Sequence, residues 1–172
     1  MAYDKYPVEI KEFNEKVVQI NRISKKTKGG NHMRFAALVV TGDGKGRVGV
    51  GLAKAADVQS AVAKSTRSAK KVLFTINLHG TTIPHEVDCH LRAAHVLLKP
   101  APPGTGVKAG GAVRAVVEAA GIRDVVGKIL GTANKISNVY ATMKALKSLK
   151  PRNTNNTYST TPLPPPNLGG GG

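Results

Sequence analysis

The sequence predicts an α+β chain in which strands and helices are mixed within two successive groups. Three observations carry that expectation. Residues 16–52 are rich in β-branched and alternating apolar runs, the stretch after Asp57 repeats its apolar positions at helical spacing, and two further helical repeats stand among short strand-like runs beyond residue 90.

The β-branched run Lys16 to Ser24 and the Ala/Leu/Val run Arg34 to Thr41 predict two strands flanking a long basic loop, Lys25 to Met33. Thr41-Gly42-Asp43-Gly44-Lys45-Gly46 is a turn signal. Val48, Val50 and Leu52 then alternate with Arg47, Gly49 and Gly51, which predicts a second hairpin with one strand face nearly bare of side chains. From Asp57, a candidate N-cap, Val58, Ala61, Val62, Ser65, Ala69, Val72 and Leu73 recur at helical spacing, with Lys64, Arg67 and Lys71 on another stripe.

Lys71 to Leu78 and Ala94 to Leu98 read as strands, and the Pro/Gly-rich loop Lys99 to Gly111 enters a helix marked by Val113, Val116, Val117 and Ala120 and stopped by Gly121. A short strand is expected at about Val125 to Leu130. Asn134 or Ser137 then opens a last helix with Val139, Met143, Leu146 and Leu149 inward and Lys144, Lys147 and Lys150 nearby, before Pro151 ends it. The expected organisation is an N-terminal extension over 1–15, a first domain over 16–78, a second over 79–152 and a disordered tail over 153–172, whose Pro and Gly runs carry no charge and no apolar period.

Composition narrows the function. Lys and Arg number 26 against 10 Asp and Glu, a formal net charge of +16, so chemistry that needs clustered carboxylates is disfavoured and a polyanionic partner is favoured. Hydrophobic residues at 41% rule out a wholly disordered basic tail, and no apolar run approaches the roughly 18 residues of a membrane span. No membrane association is expected. A single cysteine, Cys89, cannot form an internal disulfide, and the acid-bearing N-terminus lacks the apolar core of a signal peptide, so the cytoplasm is the expected location, with an organellar origin left open. With no Trp and 4% aromatic residues there is little surface for stacking unpaired bases, which favours reading of backbone and shape in folded nucleic acid.

Several motifs invite enzymatic readings. Gly44, Gly46 and Gly49 spell G-x-G-x-x-G, but they run into an alternating strand rather than a helix, and no acid lies between Asp57 and Glu86 to hold a ribose. His85, Glu86, Cys89, His90 and His95 suggest a metal site, yet His85 and His90 miss the i, i+4 spacing of a helical zinc pair, so no metal and no cofactor is predicted. No G-x-S-x-G occurs, and no catalytic residue is assigned. The loop Gly104 to Gly111 can bring backbone N–H groups to an oxyanion at a helix start, but it lacks the Lys-Ser/Thr of a P-loop. Ser24-Lys25-Lys26-Thr27-Lys28-Gly29-Gly30 places three ammonium groups at a hairpin tip. With Arg34, Lys45, Arg47, Lys54, Lys64, Arg67, Lys70 and Lys71 the summed field points to nucleic acid.

Asn21-Arg22-Ile23-Ser24-Lys25, Lys28-Gly29-Gly30, Gly42-Asp43-Gly44 with Gly46-Arg47-Val48-Gly49, then Gly51, Lys54, Gly104-Thr105-Gly106 and Ala109-Gly110-Gly111-Ala112-Val113-Arg114 together resemble the bacterial-type family of small-subunit ribosomal protein five. The resemblance runs from about Glu12 to Leu149. It implies a double-stranded-RNA-binding-like domain of antiparallel strands packed on a helix, followed by a split βαβ domain. It also implies a structural constituent of the small ribosomal subunit that binds small-subunit ribosomal RNA. Proteins four and eight of that subunit would be neighbours, messenger RNA would pass nearby, and the hairpin Asn21 to Arg34 would bear on decoding accuracy. On this reading the RNA-binding residues are Arg22, Lys25, Lys26, Lys28, Gly29, Gly30, Arg34, Lys45, Arg47, Lys54, Lys64, Arg67, Lys71, Gly104, Gly106, Lys108, Gly110, Gly111 and Arg114. Asn31 and His32 stand where family members often place Arg, and Lys135 replaces a commoner proline. Two rivals are a phosphate-handling enzyme similar to small-molecule kinases and a free RNA-binding regulator.

Overall fold

The computed structural model describes residues 13–151. The expected tail and residues 1–12 of the expected extension lie outside the described residues.

Among the described residues, two four-stranded sheets and three helices make up the fold. β1 (Asn14–Thr27), β2 (Gly30–Gly42), β3 (Arg47–Ala55) and the two-residue β4 (Phe74–Thr75) form an antiparallel sheet in chain order, crossed by α1 (Val58–Lys71). β5 (Val87–Leu91), β6 (Ala94–Pro100), β7 (Val107–Lys108) and β8 (Val125–Ile129) form the second sheet in the order β5-β6-β8-β7. Only β7 and β8 run parallel, joined through α2 (Gly111–Ala120) as a βαβ unit, and α3 (Lys135–Lys147) closes the described chain. The mixed α+β class and both hairpins agree with the sequence.

Three expectations are corrected. The basic loop expected over Lys25–Met33 is strand on both sides, paired as far as Thr27↔Gly30, because a two-residue turn at Lys28-Gly29 suffices to reverse an antiparallel pair. The strand expected over Lys71–Leu78 is only Phe74–Thr75. α1 continues through Lys71, and Ile76 is buried while its amide donates to the Gly46 carbonyl at 2.8 Å, so apolar residues here fill the core without joining a ladder. β5 was not expected, although Val87 and Cys89 are buried and Asp88 and His90 exposed in strict alternation; its polar residues read as a site rather than as the solvent face of a strand. The choice at the last helix falls to Asn134, whose Oδ1 accepts from the Ile136 amide at 3.1 Å, whereas Asp57 at α1 makes no side-chain cap bond.

The first sheet uses its two faces differently. Ala37 and Val39 turn to Ala61 of α1, and the bare face of β3 allows the approach, since a Cβ on Gly51 would fall on the Ser65 carbonyl oxygen. Ser65 Oγ in turn donates to the Ala37 carbonyl at 2.6 Å. On the opposite face Leu38, Val40, Val48 and Val50 join one large cluster with Val113, Val116 and Val117 of α2, Val96, Leu98 and Val125 of the second sheet, and Val139 and Leu146 of α3. The halves therefore share a core, in which each fully buried Val or Leu contributes roughly 1.5–3 kcal/mol.

Candidate nucleic-acid interface

Strand alternation divides the cations of the β1–β2 hairpin. Lys25 pairs with His32 and Ile23 with Arg34, so Lys25 and Arg34 share one face, which Lys54 of β3 extends through its pairing with Ala36. Together with Ser24, Thr27 and His32 these residues line an open groove of about 420 Å³. Arg22 and Lys26 pair with Phe35 and Asn31 and point to the other face, toward α1. All residues from Ser24 to Arg34 are exposed, so the distal hairpin, with Lys28, Gly29 and Gly30 at its end, reaches about 13 Å beyond its last half-buried β1 residue.

The β1–β2 register shifts between Val17 and Gln19, and ordinary strand alternation carries Glu15 and Lys16 to opposite sides of the sheet. Lys16 binds Glu118 of α2 at 2.5 Å, while Glu15 accepts from Lys70 of α1 at 3.0 Å and from the Thr66 hydroxyl at 3.3 Å. Lys64, Arg67 and Lys71 remain exposed along α1, but Lys70 is held by Glu15.

The glycine-rich turn after β2 is organised by Asp43. Its Oδ1 accepts the Lys45 and Arg47 amides at 2.8 and 2.9 Å, and Oδ2 accepts Arg47 Nε at 2.7 Å. Burial alone would raise the Asp43 pKa, but the Arg47 side chain and the two amides outweigh it and hold the carboxyl below its ordinary value. Lys45 is exposed, and the half-exposed Arg47 side chain sets its guanidinium carbon 5.7 Å from the centre of the Phe13 ring. The literal G-x-G-x-x-G thus forms a hairpin turn, and the amides of Gly44 and Gly46 donate to Ala119 and Ala120 carbonyls at 3.2 and 2.9 Å.

The second glycine loop already holds an anion of its own. Asp124 is 4% exposed, and the Gly106 amide donates to its Oδ1 at 3.0 Å. The Thr81 hydroxyl and the Gly106, Gly104 and Thr105 amides hold its carboxyl below the ordinary range. Gly104 and Gly106 therefore surround a carboxylate of the same chain, a role that sequence reading missed; the one available signal was an acid set directly before the apolar run at Val125. Lys108, Gly110 and Gly111 are exposed at the start of α2. Arg114, also exposed, pairs with Glu118 at 2.6 Å, and the hydrogen bonds from Lys16 and Arg114 hold the Glu118 pKa below its ordinary value.

Of the residues weighed as metal ligands, Cys89 points into the core, where burial pushes its thiol pKa up, and His85 Nε2 accepts the Lys150 amide at 3.1 Å. Neither joins His90 and His95, which lie opposite each other across β5 and β6.

Residues 13–77 match the family described as ribosomal protein S5, N-terminal domain, and residues 89–156 that described as ribosomal protein S5, C-terminal domain. The small ribosomal subunit protein uS5 of Dehalococcoides mccartyi strain 195 is 48% identical over 159 residues, covering 92% of each chain. The protein of the same description from strain CBDB1 is 52% identical over 139 residues, 81% of each chain.

Proposed function

The chain belongs to the ribosomal protein S5 family, and from that premise we propose that it is a structural constituent of the small ribosomal subunit that binds small-subunit ribosomal RNA through phosphates and shape. The observation that carries this reading is the exposed hairpin with cations on both faces, Lys25, Arg34 and Lys54 on one and Arg22 and Lys26 on the other. Cations so placed neutralise phosphates and release counterions, with little base-edge reading. Lys28, Gly29 and Gly30 would meet RNA at the tip, Lys45, Arg47, Lys64, Arg67 and Lys71 along the first domain, and Lys108, Gly110, Gly111 and Arg114 at the start of α2.

Gly104 and Gly106 take a different part in this reading. Their amides hold Asp124, so they shape the loop, and any RNA contact they make is through its outer surface. The same carboxylate opposes the kinase-like reading, because a nucleotide phosphate entering the loop would meet Asp124. The role is structural rather than enzymatic.

Residues 16–78 and 79–152 serve as the two domains of this component, with small-subunit proteins four and eight as neighbours and messenger RNA nearby, in the cytoplasmic ribosome. Among the described residues no helix is long and apolar enough to cross a membrane. Co-sedimentation with small subunits through a salt gradient tests the reading. A stoichiometric component stays with the particle until high salt, whereas a free regulator appears at the top of the gradient. Thermal stabilisation by ATP with magnesium would overturn the reading in favour of the enzyme.

A further inference from the structure

We propose that Asp88, His90 and His95 form a surface site for a divalent transition-metal ion of the zinc class. The β5–β6 hairpin turns tightly through Arg92 and Ala93, with Leu91 paired to Ala94 and Arg92 at φ 56°. Strand periodicity puts Asp88 and His90 on its outer face, and the register sets His95 directly across from His90. Three donor side chains from two strands thus converge without the i, i+4 spacing that a helical site needs.

The three donors already cluster, two of them in direct hydrogen-bond contact. His95 Nε2 lies 2.5 Å from Asp88 Oδ1, the two imidazoles stack with ring centroids 3.6 Å apart, and one ligand atom from each of the three residues falls within 4.8 Å of the others. An ion bonded at about 2.1 Å holds ligand atoms no more than about 4.2 Å apart. Ligand atoms on one such ion also stand about 3 Å or more apart, so the ion replaces the Asp88–His95 hydrogen bond and the stacked rings tilt, with Asp88 and His90 both exposed. Two imidazoles with one carboxylate suit Zn2+ far better than Mg2+ or Ca2+, which prefer all-oxygen shells. Three protein ligands on an open surface leave the remaining coordination positions to water.

The surrounding charges moderate affinity. Lys144 Nζ donates to the His90 carbonyl at 3.2 Å, Lys128 sits on β8 in register with Leu97, and Lys99 is paired with Glu86 at 3.3 Å. These cations oppose a second positive charge, so binding in the micromolar range is expected rather than the much tighter hold of a closed structural site. Cys89 lies on the buried face of the same strand and is not a ligand.

Calorimetric titration of the full chain with Zn2+ alone tests the site. One ion per chain is expected near pH 7.5. His90→Ala, His95→Ala and Asp88→Asn should each weaken binding by about tenfold or more, while Cys89→Ser leaves it unchanged. All three ligand substitutions lie on the solvent face of the hairpin, and circular dichroism confirms that each variant is folded. Absence of binding at about 0.1 mM Zn2+, or binding that survives in the His90→Ala/His95→Ala double variant, would overturn the proposal.

Discussion

The Gly46 amide donates to the Ala120 carbonyl at 2.9 Å, so the turn between β2 and β3 closes the C-terminal end of α2. Residues 74 positions apart in a chain that reads as two domains thereby satisfy a carbonyl that the helix itself leaves unpaired. Gly44 repeats the contact at Ala119, and Gly121, at φ +86°, ends the helix against the Gly44 carbonyl.

Gly121→Ala is expected to destabilise the fold by more than about 2 kcal/mol, because it forces a side chain into the left-handed region and against backbone that cannot yield. Urea unfolding measures this, with Gly29→Ala as the control. A Cβ at Gly29 meets nothing within 4 Å, and its substitution should stay within about 0.5 kcal/mol. Equal effects at the two positions would refute the docking contact.

Asp124→Ala should lower the melting temperature and speed amide exchange at Gly106, since the buried carboxylate that accepts this amide is removed. Unaltered exchange there would mean that the loop holds its shape without Asp124.

Acid should loosen the contact between the halves. The folded pKa of Glu118 lies below its ordinary 4.5, so ionised Glu118 favours the fold; its contribution is complete above about pH 4.5 and disappears as pH falls through the lowered value. Asp43 and Asp124, both lowered from 3.8, act in the same direction further down. Glu118→Gln should therefore cost stability at neutral pH and cost progressively less at pH 3. A difference from the parent chain that is independent of pH would contradict this.

Charge reversal on either hairpin face, Lys25 with Arg34 or Arg22 with Lys26, should weaken binding to small-subunit ribosomal RNA. Each pair should reduce the log–log salt slope by about 2 if both cations meet phosphates. Reversal of Lys25, Lys26 and Lys28 together should impair subunit assembly or raise misreading. Unchanged slopes with normal assembly would remove the hairpin from the interface.

Much of this was legible in the chain because it depends on neighbours in sequence. The stop of α2 at Gly121, the turn at Thr41–Gly46 and the exposure of Lys64, Arg67 and Lys71 follow from local propensity and period. β5 was illegible because Asp88, Cys89 and His90 resemble ligands more than a strand, although their alternation was present. The face that each hairpin cation takes was illegible for another reason: it depends on the pairing register, which shifts between Val17 and Gln19.

From composition and local pattern alone, the sequence determined a strongly cationic α+β protein suited to a polyanion, because charge and secondary-structure preference are carried by each residue and its near neighbours. Only the tertiary structure decided that one glycine motif closes a helix and the other encloses Asp124. Which groups meet across 74 or 18 positions is fixed by packing around a common core, and no local rule encodes that choice.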